Sequence, residues 1–181
     1  MDIVFILLTL LGFFFLAVII GGLFLPTDWV IEKAILVHAR PQPLFPLLNE
    51  LERWKEWTVW SAEEDFSLSY PATTTAGVGA VQVWQSSRIN GQLTITKSIP
   101  DQTLEYKFEI DEGKLVVFGT LVLAAADPNY TQVAWRCQLE PLVNNNPVRR
   151  YQAYFLKNYF DTAIENSLAT LPTLFPSQEP V

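Results

Sequence analysis

A long apolar segment near the N-terminus constrains the fold of this chain more than any other feature. It runs from residue 3 to residue 25 without a charge, and Thr9 is its only residue with a hydrogen-bonding side chain. At about 1.5 Å per residue, a helix of this length crosses the ~30 Å hydrocarbon layer of a bilayer and satisfies its own backbone groups there. The segment therefore predicts a single-pass transmembrane anchor formed by residues 1–25.

A secretory signal peptide is the competing interpretation of this segment. Signal peptides usually have an apolar region of about 7 to 15 residues, preceded by Lys or Arg and followed by small residues at a cleavage site. Here residues 1–2 are Met and Asp, and residues 26–28 are Pro, Thr and Asp, which favours a retained anchor. Lys33 and Arg40 follow the segment, but two basic residues do not fix its orientation. The sequence therefore does not determine on which side of the membrane the soluble part lies.

The rest of the chain predicts one domain, residues 26–172, and a proline-rich disordered tail, residues 173–181. The chain carries a formal net charge of −7, which repels phosphate backbones, so nucleic acid is not an expected partner. Cys137 is the only cysteine and His38 the only histidine. No group of Cys and His has metal-ligand spacing, and neither a metal nor a cofactor is predicted.

The hydrophobic pattern of the domain changes twice along the chain. An apolar, β-branched run at 30–39 predicts a strand, and residues 41–57 predict two short helices separated by a turn. From 66 to 140 the pattern has period two and is interrupted by short turn sequences, which predicts an antiparallel meander. Its predicted strands are 66–70, 79–87, 91–99, 103–111, 114–125 and 131–140. An amphipathic helix from Asn146-Pro147 to about Leu171 ends the domain.

Several short motifs accompany this order of elements. They are Phe24-Leu25-Pro26, His38-Ala39-Arg40-Pro41-Gln42-Pro43-Leu44-Phe45, Trp54-Lys55-Glu56-Trp57-Thr58-Val59-Trp60, Gly77-Val78-Gly79-Ala80 with Trp84, and Val133-Ala134-Trp135. Together with the order of elements, they resemble the polyketide cyclase/dehydrase and START-like (SRPBCC, Bet v 1-like) lipid-binding superfamily over residues 24–171. Members often carry a membrane segment directly before the domain. One departure is Thr58-Val59, where many relatives have Ser-Pro.

The resemblance implies an α+β helix-grip fold, in which a curved antiparallel sheet wraps a long C-terminal helix and leaves a cavity between them. Inward-facing residues of the sheet and helix are then candidate ligand contacts: Gln82, Trp84, Tyr106, Phe108, Trp135, Phe155 and Tyr159. Trp54, Trp57 and Trp60 are a candidate gate at the cavity mouth. Each aromatic residue could instead simply pack in the core. Gln82 could instead lie at the solvent-exposed end of its strand.

The function implied by the resemblance is a membrane-anchored module that binds an apolar small molecule, such as a lipid, isoprenoid, quinone or polyketide-like compound. The alternatives are a cyclase or dehydratase that uses the same cavity, and a regulatory or scaffolding domain with a filled core. Catalysis needs titratable groups held close together. His38 has no evident partner in the sequence, and the acidic residues 63–65 are typical of a solvated loop. The sequence favours binding over catalysis and predicts no catalytic residue.

Overall fold

The computed structural model describes residues 2–59, 67–86, 90–143 and 146–176. Its first element is the helix α1, Asp2–Leu23, whose apolar side chains are exposed and which is long and apolar enough to cross a membrane. The helix ends two residues before the predicted position. There the N–H groups of Phe24 and Leu25 bond to the carbonyls of Gly21 and Gly22, in the tight i to i−3 pattern that closes many helices.

The domain that follows has the predicted α+β order of elements. Its strands are β1 (Val30–Val37), β2 (Ser67–Ser69), β3 (Val81–Gln85), β4 (Asn90–Ile99), β5 (Thr103–Ile110), β6 (Leu115–Asp127) and β7 (Tyr130–Leu139), and its helices are α2 (Pro41–Asn49), a 3₁₀ helix (Leu51–Glu56) and α3 (Pro147–Leu174). The strands form one antiparallel sheet of order β1-β7-β6-β5-β4-β3-β2. The predicted fold class, a sheet with a long C-terminal helix, is confirmed.

The helix α3 ends three residues later than the sequence predicts. Pro172 was expected to stop it, because proline has no N–H for the helix ladder. The proline instead lies in the last turn, where Leu171 is fully buried. Packing of this turn against the domain outweighs the loss of one backbone hydrogen bond.

One face of the sheet is apolar and is covered by α3. On β5 the side chains of Leu104, Tyr106 and Ile110 are buried, and their neighbours along the strand are more exposed. The helix buries seven residues: Ala153, Phe160, Ala163, Ile164, Ser167, Leu168 and Leu171. This alternation on the strands and the helical spacing on α3 together form the core between the two layers.

The segment between α1 and β1 is fixed to the domain by long-range hydrogen bonds. The carbonyls of Thr27 and Trp29 accept from the N–H groups of Leu142 and Leu139, both at 3.0 Å. The indole N–H of Trp29 donates to the carbonyl of Ala153 in α3 at 2.9 Å. The connection therefore holds α1 close to one end of the domain.

Two glycines make room for large aromatic rings on neighbouring strands. Gly119 pairs with Tyr106 across β5 and β6, and Gly91 pairs with Trp84 across β3 and β4. A Cβ atom would lie 1.9 Å from the ring of Tyr106 at the first position and 2.0 Å from the ring of Trp84 at the second. Each ring therefore lies flat across the backbone of a glycine. Any residue with a side chain at either glycine would push the ring out of its position.

We expect Gly119→Ala to lower the free energy of unfolding by about 2–3 kcal/mol, because the added methyl forces a buried ring out of its position. Thr120→Ala, at the next residue on the other face of β6, is the control and should cost less than about 1 kcal/mol. Chemical denaturation monitored by circular dichroism measures both. Equal stability of the two variants would contradict the close packing of Tyr106 on Gly119.

Candidate ligand-binding site

One half of the space between sheet and α3 is filled by four aromatic side chains, Trp54, Trp57, Tyr106 and Trp135, which we call the tryptophan cluster. All four are at most 2% exposed. The ring centroids of Trp54 and Tyr106 are 5.4 Å apart, and those of Trp57 and Trp135 are 5.2 Å apart. These are normal distances for packed aromatic pairs. Trp54 and Trp57 therefore pack against the sheet interior, and Trp60, the third predicted gate residue, lies outside the described residues.

Most polar side-chain atoms of the tryptophan cluster have hydrogen-bond partners, either in the cluster or in residues next to it. The indole N–H of Trp135 donates to the hydroxyl of Tyr106 at 2.8 Å, and this hydroxyl is 3.3 Å from Cys137 Sγ. The indole N–H of Trp54 donates to the carbonyl of Leu48 at 2.7 Å. The exception is Trp57, whose buried indole N–H has no acceptor within the described part of the chain.

Burial keeps the two titratable groups of this region protonated. It raises the pKa of the Cys137 thiol to about 12, and only partial compensation comes from the neighbouring Tyr106 and Trp135 donors. Burial also raises the pKa of the Tyr106 hydroxyl well above its usual value, with Cys137 adding to the shift. Removing water disfavours the charged forms of both groups. As placed, neither group is a nucleophile or a general base at neutral pH.

Cys137 should therefore resist alkylation in the folded protein. We expect little reaction with iodoacetamide at pH 8, where the unfolded thiol is partly ionised, and rapid reaction after denaturation. Intact-mass spectrometry of native and unfolded protein measures the labelled fraction. Fast labelling of the native protein would show that the thiol is accessible or ionised and would overturn this assignment.

Trp54 and Trp57 form a matched pair for testing the hydrogen bonding of the tryptophan cluster. Substitution by Phe removes a similar ring area at both positions, but only Trp54→Phe removes a hydrogen bond, the one to Leu48. We expect Trp54→Phe to destabilise the domain by about 1 kcal/mol more than Trp57→Phe. Urea denaturation of both variants measures the difference, and a larger loss for Trp57→Phe would place the missing hydrogen bond at Trp57 instead.

A second aromatic group occupies the half of the interior nearer to α1. Trp84 stacks on Phe108 with 4.1 Å between ring centroids, Phe108 meets Phe160 of α3 edge-on at 5.4 Å, and Phe160 lies 5.8 Å from Trp29. We call these four residues the anchor-side group, after α1, the predicted membrane anchor. Three of them are at most 6% exposed, whereas Phe108 is only partly buried.

The partial exposure of Phe108 is unusual for its position. Its neighbours on the same face of β5, Tyr106 and Ile110, are 2% and 1% exposed. Leu156, one turn before Phe160 on α3, is also only partly buried although it packs against the core. Phe108 and Leu156 are therefore both partly exposed to solvent.

Gln82 lies inside the domain, and not at a wet strand end. Its side chain is 3% exposed, and its amide nitrogen donates to the hydroxyl of Tyr70 at 3.3 Å. It shares a face of β3 with Trp84, as the alternation predicted. It supplies a buried polar group near the anchor-side group.

The structure does not bring Phe155 and Tyr159 into the interior. Their side chains are 65% and 42% exposed and lie on the outer face of α3. The helix faces the sheet through Ala153, Phe160 and Ile164 instead. Two apolar stripes run along α3, and hydrophobicity does not distinguish them. In the first half of the helix the inner stripe includes the small Ala153, whereas the outer stripe includes the large Phe155 and Tyr159. Hydrophobic spacing therefore favoured the outer face there.

No family model matches the sequence, and no curated protein matches it, but several solved structures share its fold. A hypothetical protein from Helicobacter pylori is 11% identical with a TM-score of 0.61, and the match covers 83% of this chain and 89% of that one. A Mesorhizobium loti protein is 12% identical with a TM-score of 0.58, and the match covers 84% of this chain and 100% of that one. Ara h 8.0201 is 16% identical with a TM-score of 0.55, and the match covers 82% of this chain and 97% of that one. These similarities establish a Bet v 1-like fold.

Proposed function

We propose that this protein is a membrane-anchored binding module for an apolar small molecule, which lies beside Phe108 between the sheet and α3. The partial exposure of Phe108 and Leu156 carries this proposal, since every neighbouring residue on the inner face of β5 is closed to solvent. The tryptophan cluster fills the other half of the interior, which confines a ligand to the anchor-side half. Of the predicted contacts, Trp84 and Phe108 lie there, and Phe160 and Leu156 join them.

The chemistry around this opening favours an apolar ligand. Trp84, Phe108, Leu156 and Phe160 carry no charge, and binding pockets for such ligands are typically lined by aromatic and aliphatic side chains with few polar groups. Gln82, two residues before Trp84 on the same face of β3, provides an amide for a single polar group of the ligand. A lipid, an isoprenoid, a quinone or a polyketide-like compound has this character.

The position of α1 supports a ligand that comes from the membrane. Trp29 lies six residues after the end of α1 and contacts Phe160, so the opening is close to the anchor. Apolar compounds concentrate in bilayers because water excludes them. A binding site held next to the bilayer would receive its ligand without a long passage through water.

A second candidate is a regulatory or scaffolding domain without a ligand. The mutual packing of Trp54, Trp57, Tyr106 and Trp135 favours it, because a filled interior stabilises a domain without any guest. The catalytic alternative has weaker support, because Tyr106 and Cys137 keep their protons at neutral pH.

The proposal is tested on full-length protein transferred from its native membrane into nanodiscs. Organic extraction and mass spectrometry should find an apolar compound enriched over the bulk lipids. Phe108→Trp should lower its amount severalfold, because the larger indole occupies the open space. Phe118→Trp, the same change at an exposed position on the other face of the sheet, is the matched control and should leave the amount unchanged.

Two results would contradict the proposed site. An extract that contains only bulk lipids would favour the domain with a filled core. An enriched compound that is lost equally in Phe108→Trp and Phe118→Trp, or in neither, would show that binding occurs elsewhere.

A further inference from the structure

The end of α1 packs against the first turn of α3, 125 or more residues further along the chain. The hydroxyl of Tyr151 donates to the carbonyl of Val18 at 3.0 Å. The guanidinium of Arg150 donates to the carbonyl of Leu23 and, at 2.9 Å, to that of Leu25. Carbonyls at a helix C-terminus have no partner within the helix, and a positive charge there is favourable. The last turn of α1 has no basic residue of its own, and Arg150 provides the positive charge there.

Glycines allow the two helices to approach this closely. A Cβ atom on Gly22 would lie 2.6 Å from the Cβ atom of Pro147 and 2.8 Å from the ring of Tyr151. A Cβ atom on Gly21 would lie 3.1 Å from the hydroxyl of Tyr151. Together with the hydrogen bonds of Thr27 and Trp29, these contacts fix the direction in which α1 leaves the domain.

This joint determines how deep the start of α3 lies when α1 spans a bilayer. The apolar span Ile3–Leu23 has 21 residues, or about 31 Å of helix, which matches the ~30 Å hydrocarbon layer. Val18 lies five residues before the end of this span, or about 7.5 Å along the helix. The headgroup region on each side of a bilayer is about 5–7 Å thick. Pro147 at the start of α3 meets Gly22, one residue before the end of the span. The start of α3 therefore lies where the hydrocarbon layer meets the headgroup region, and the hydroxyl of Tyr151 reaches from there to Val18.

Large apolar and aromatic side chains are exposed on the first turns of α3 and on the segments next to its start, with the polar Asn146 and Gln152 among them. On the outer face of α3, Val148 is 62% exposed, Tyr154 43% and Phe155 65%, and in the segments next to its start Phe24 is 84% and Val143 97% exposed. Tyrosine, whose ring is apolar and whose hydroxyl is polar, is enriched in the headgroup region. The net negative charge of the chain gives no attraction to anionic lipids, so burial of these side chains is the available driving force.

We propose that the outer face of α3 lies in the headgroup region of the bilayer, so that the domain rests on the membrane in one orientation. The inference rests on the proposed membrane anchoring by α1. It assigns Phe155, which sequence reasoning placed in a ligand cavity, to contact with lipid. It also continues the lipid contact of α1 onto the domain through the joint at Gly22, Arg150 and Tyr151.

Spin labels on the full-length protein in phosphatidylcholine nanodiscs test this orientation. Cysteines are introduced by Phe155→Cys, Tyr130→Cys and Leu11→Cys, while the buried Cys137 stays unlabelled. Tyr130 starts β7, about 30 Å from Leu139 at the end near α1, and Leu11 lies within α1. Power saturation compares collisions with oxygen, which concentrates in lipid, and with a water-soluble nickel complex. We expect an oxygen-to-nickel ratio at residue 155 roughly threefold or more above that at residue 130.

Other oxygen-to-nickel ratios would contradict either the orientation of the domain or the anchoring by α1. Equal ratios at residues 155 and 130, with a lipid-like ratio at residue 11, would overturn the orientation and leave the anchor in place. A water-like ratio at residue 11 would overturn membrane anchoring itself, and the orientation with it. The joint is tested by Gly22→Val, which should lower the ratio at residue 155 toward that at residue 130. Gly12→Val, where a Cβ meets no neighbour, should leave the ratio unchanged, and equal effects of both would overturn the role of the joint.

Discussion

The structure depends on one constraint: the 28-residue helix α3, with α2 and the 3₁₀ helix beside it, has to cover the apolar face of a seven-stranded sheet. Large aromatic rings fill the distance between the two layers, and glycines on adjacent strands give those rings room. Where the tryptophan cluster does this, at Trp54, Trp57, Tyr106 and Trp135, the interior is closed. Phe108 and Leu156 are among the apolar residues of the core that are only partly buried, and the proposed binding site follows from the contrast between them and the closed tryptophan cluster.

The helix α1, the proposed membrane anchor, and the proposed binding site are connected through α3. Trp29 donates a hydrogen bond to this helix and contacts Phe160 of the anchor-side group. Trp29 donates to the carbonyl of Ala153, and about one turn before Ala153 in α3, Arg150 and Tyr151 hydrogen-bond to the end of α1. The helix α3 thus covers the sheet on one face and meets α1 on another. A change in the direction of α1 would therefore act directly on the helix that carries part of the proposed binding site.

Most of the fold could be predicted from the sequence, because its signals are local. Period-two alternation and short turns identified every described strand of the meander, and the Asn146-Pro147 start of α3 was correct. The interior was harder to predict, because it depends on distant contacts. Trp29 and Phe160 were missed, and Phe155 and Tyr159 were placed on the wrong face of α3. The joint of Gly22 with Pro147 and of Arg150 with the end of α1 joins segments more than 120 residues apart, and no local pattern indicates it.

Photo-cross-linking in the native membrane tests the central claim, an apolar ligand beside Phe108, most directly. A benzophenone amino acid at position 108 should, on irradiation, capture the ligand as a covalent adduct whose mass identifies it. The same amino acid at position 118, on the outer face of β6, should capture no such compound. Absence of an adduct at position 108, or the same adduct at both positions, would contradict the claim.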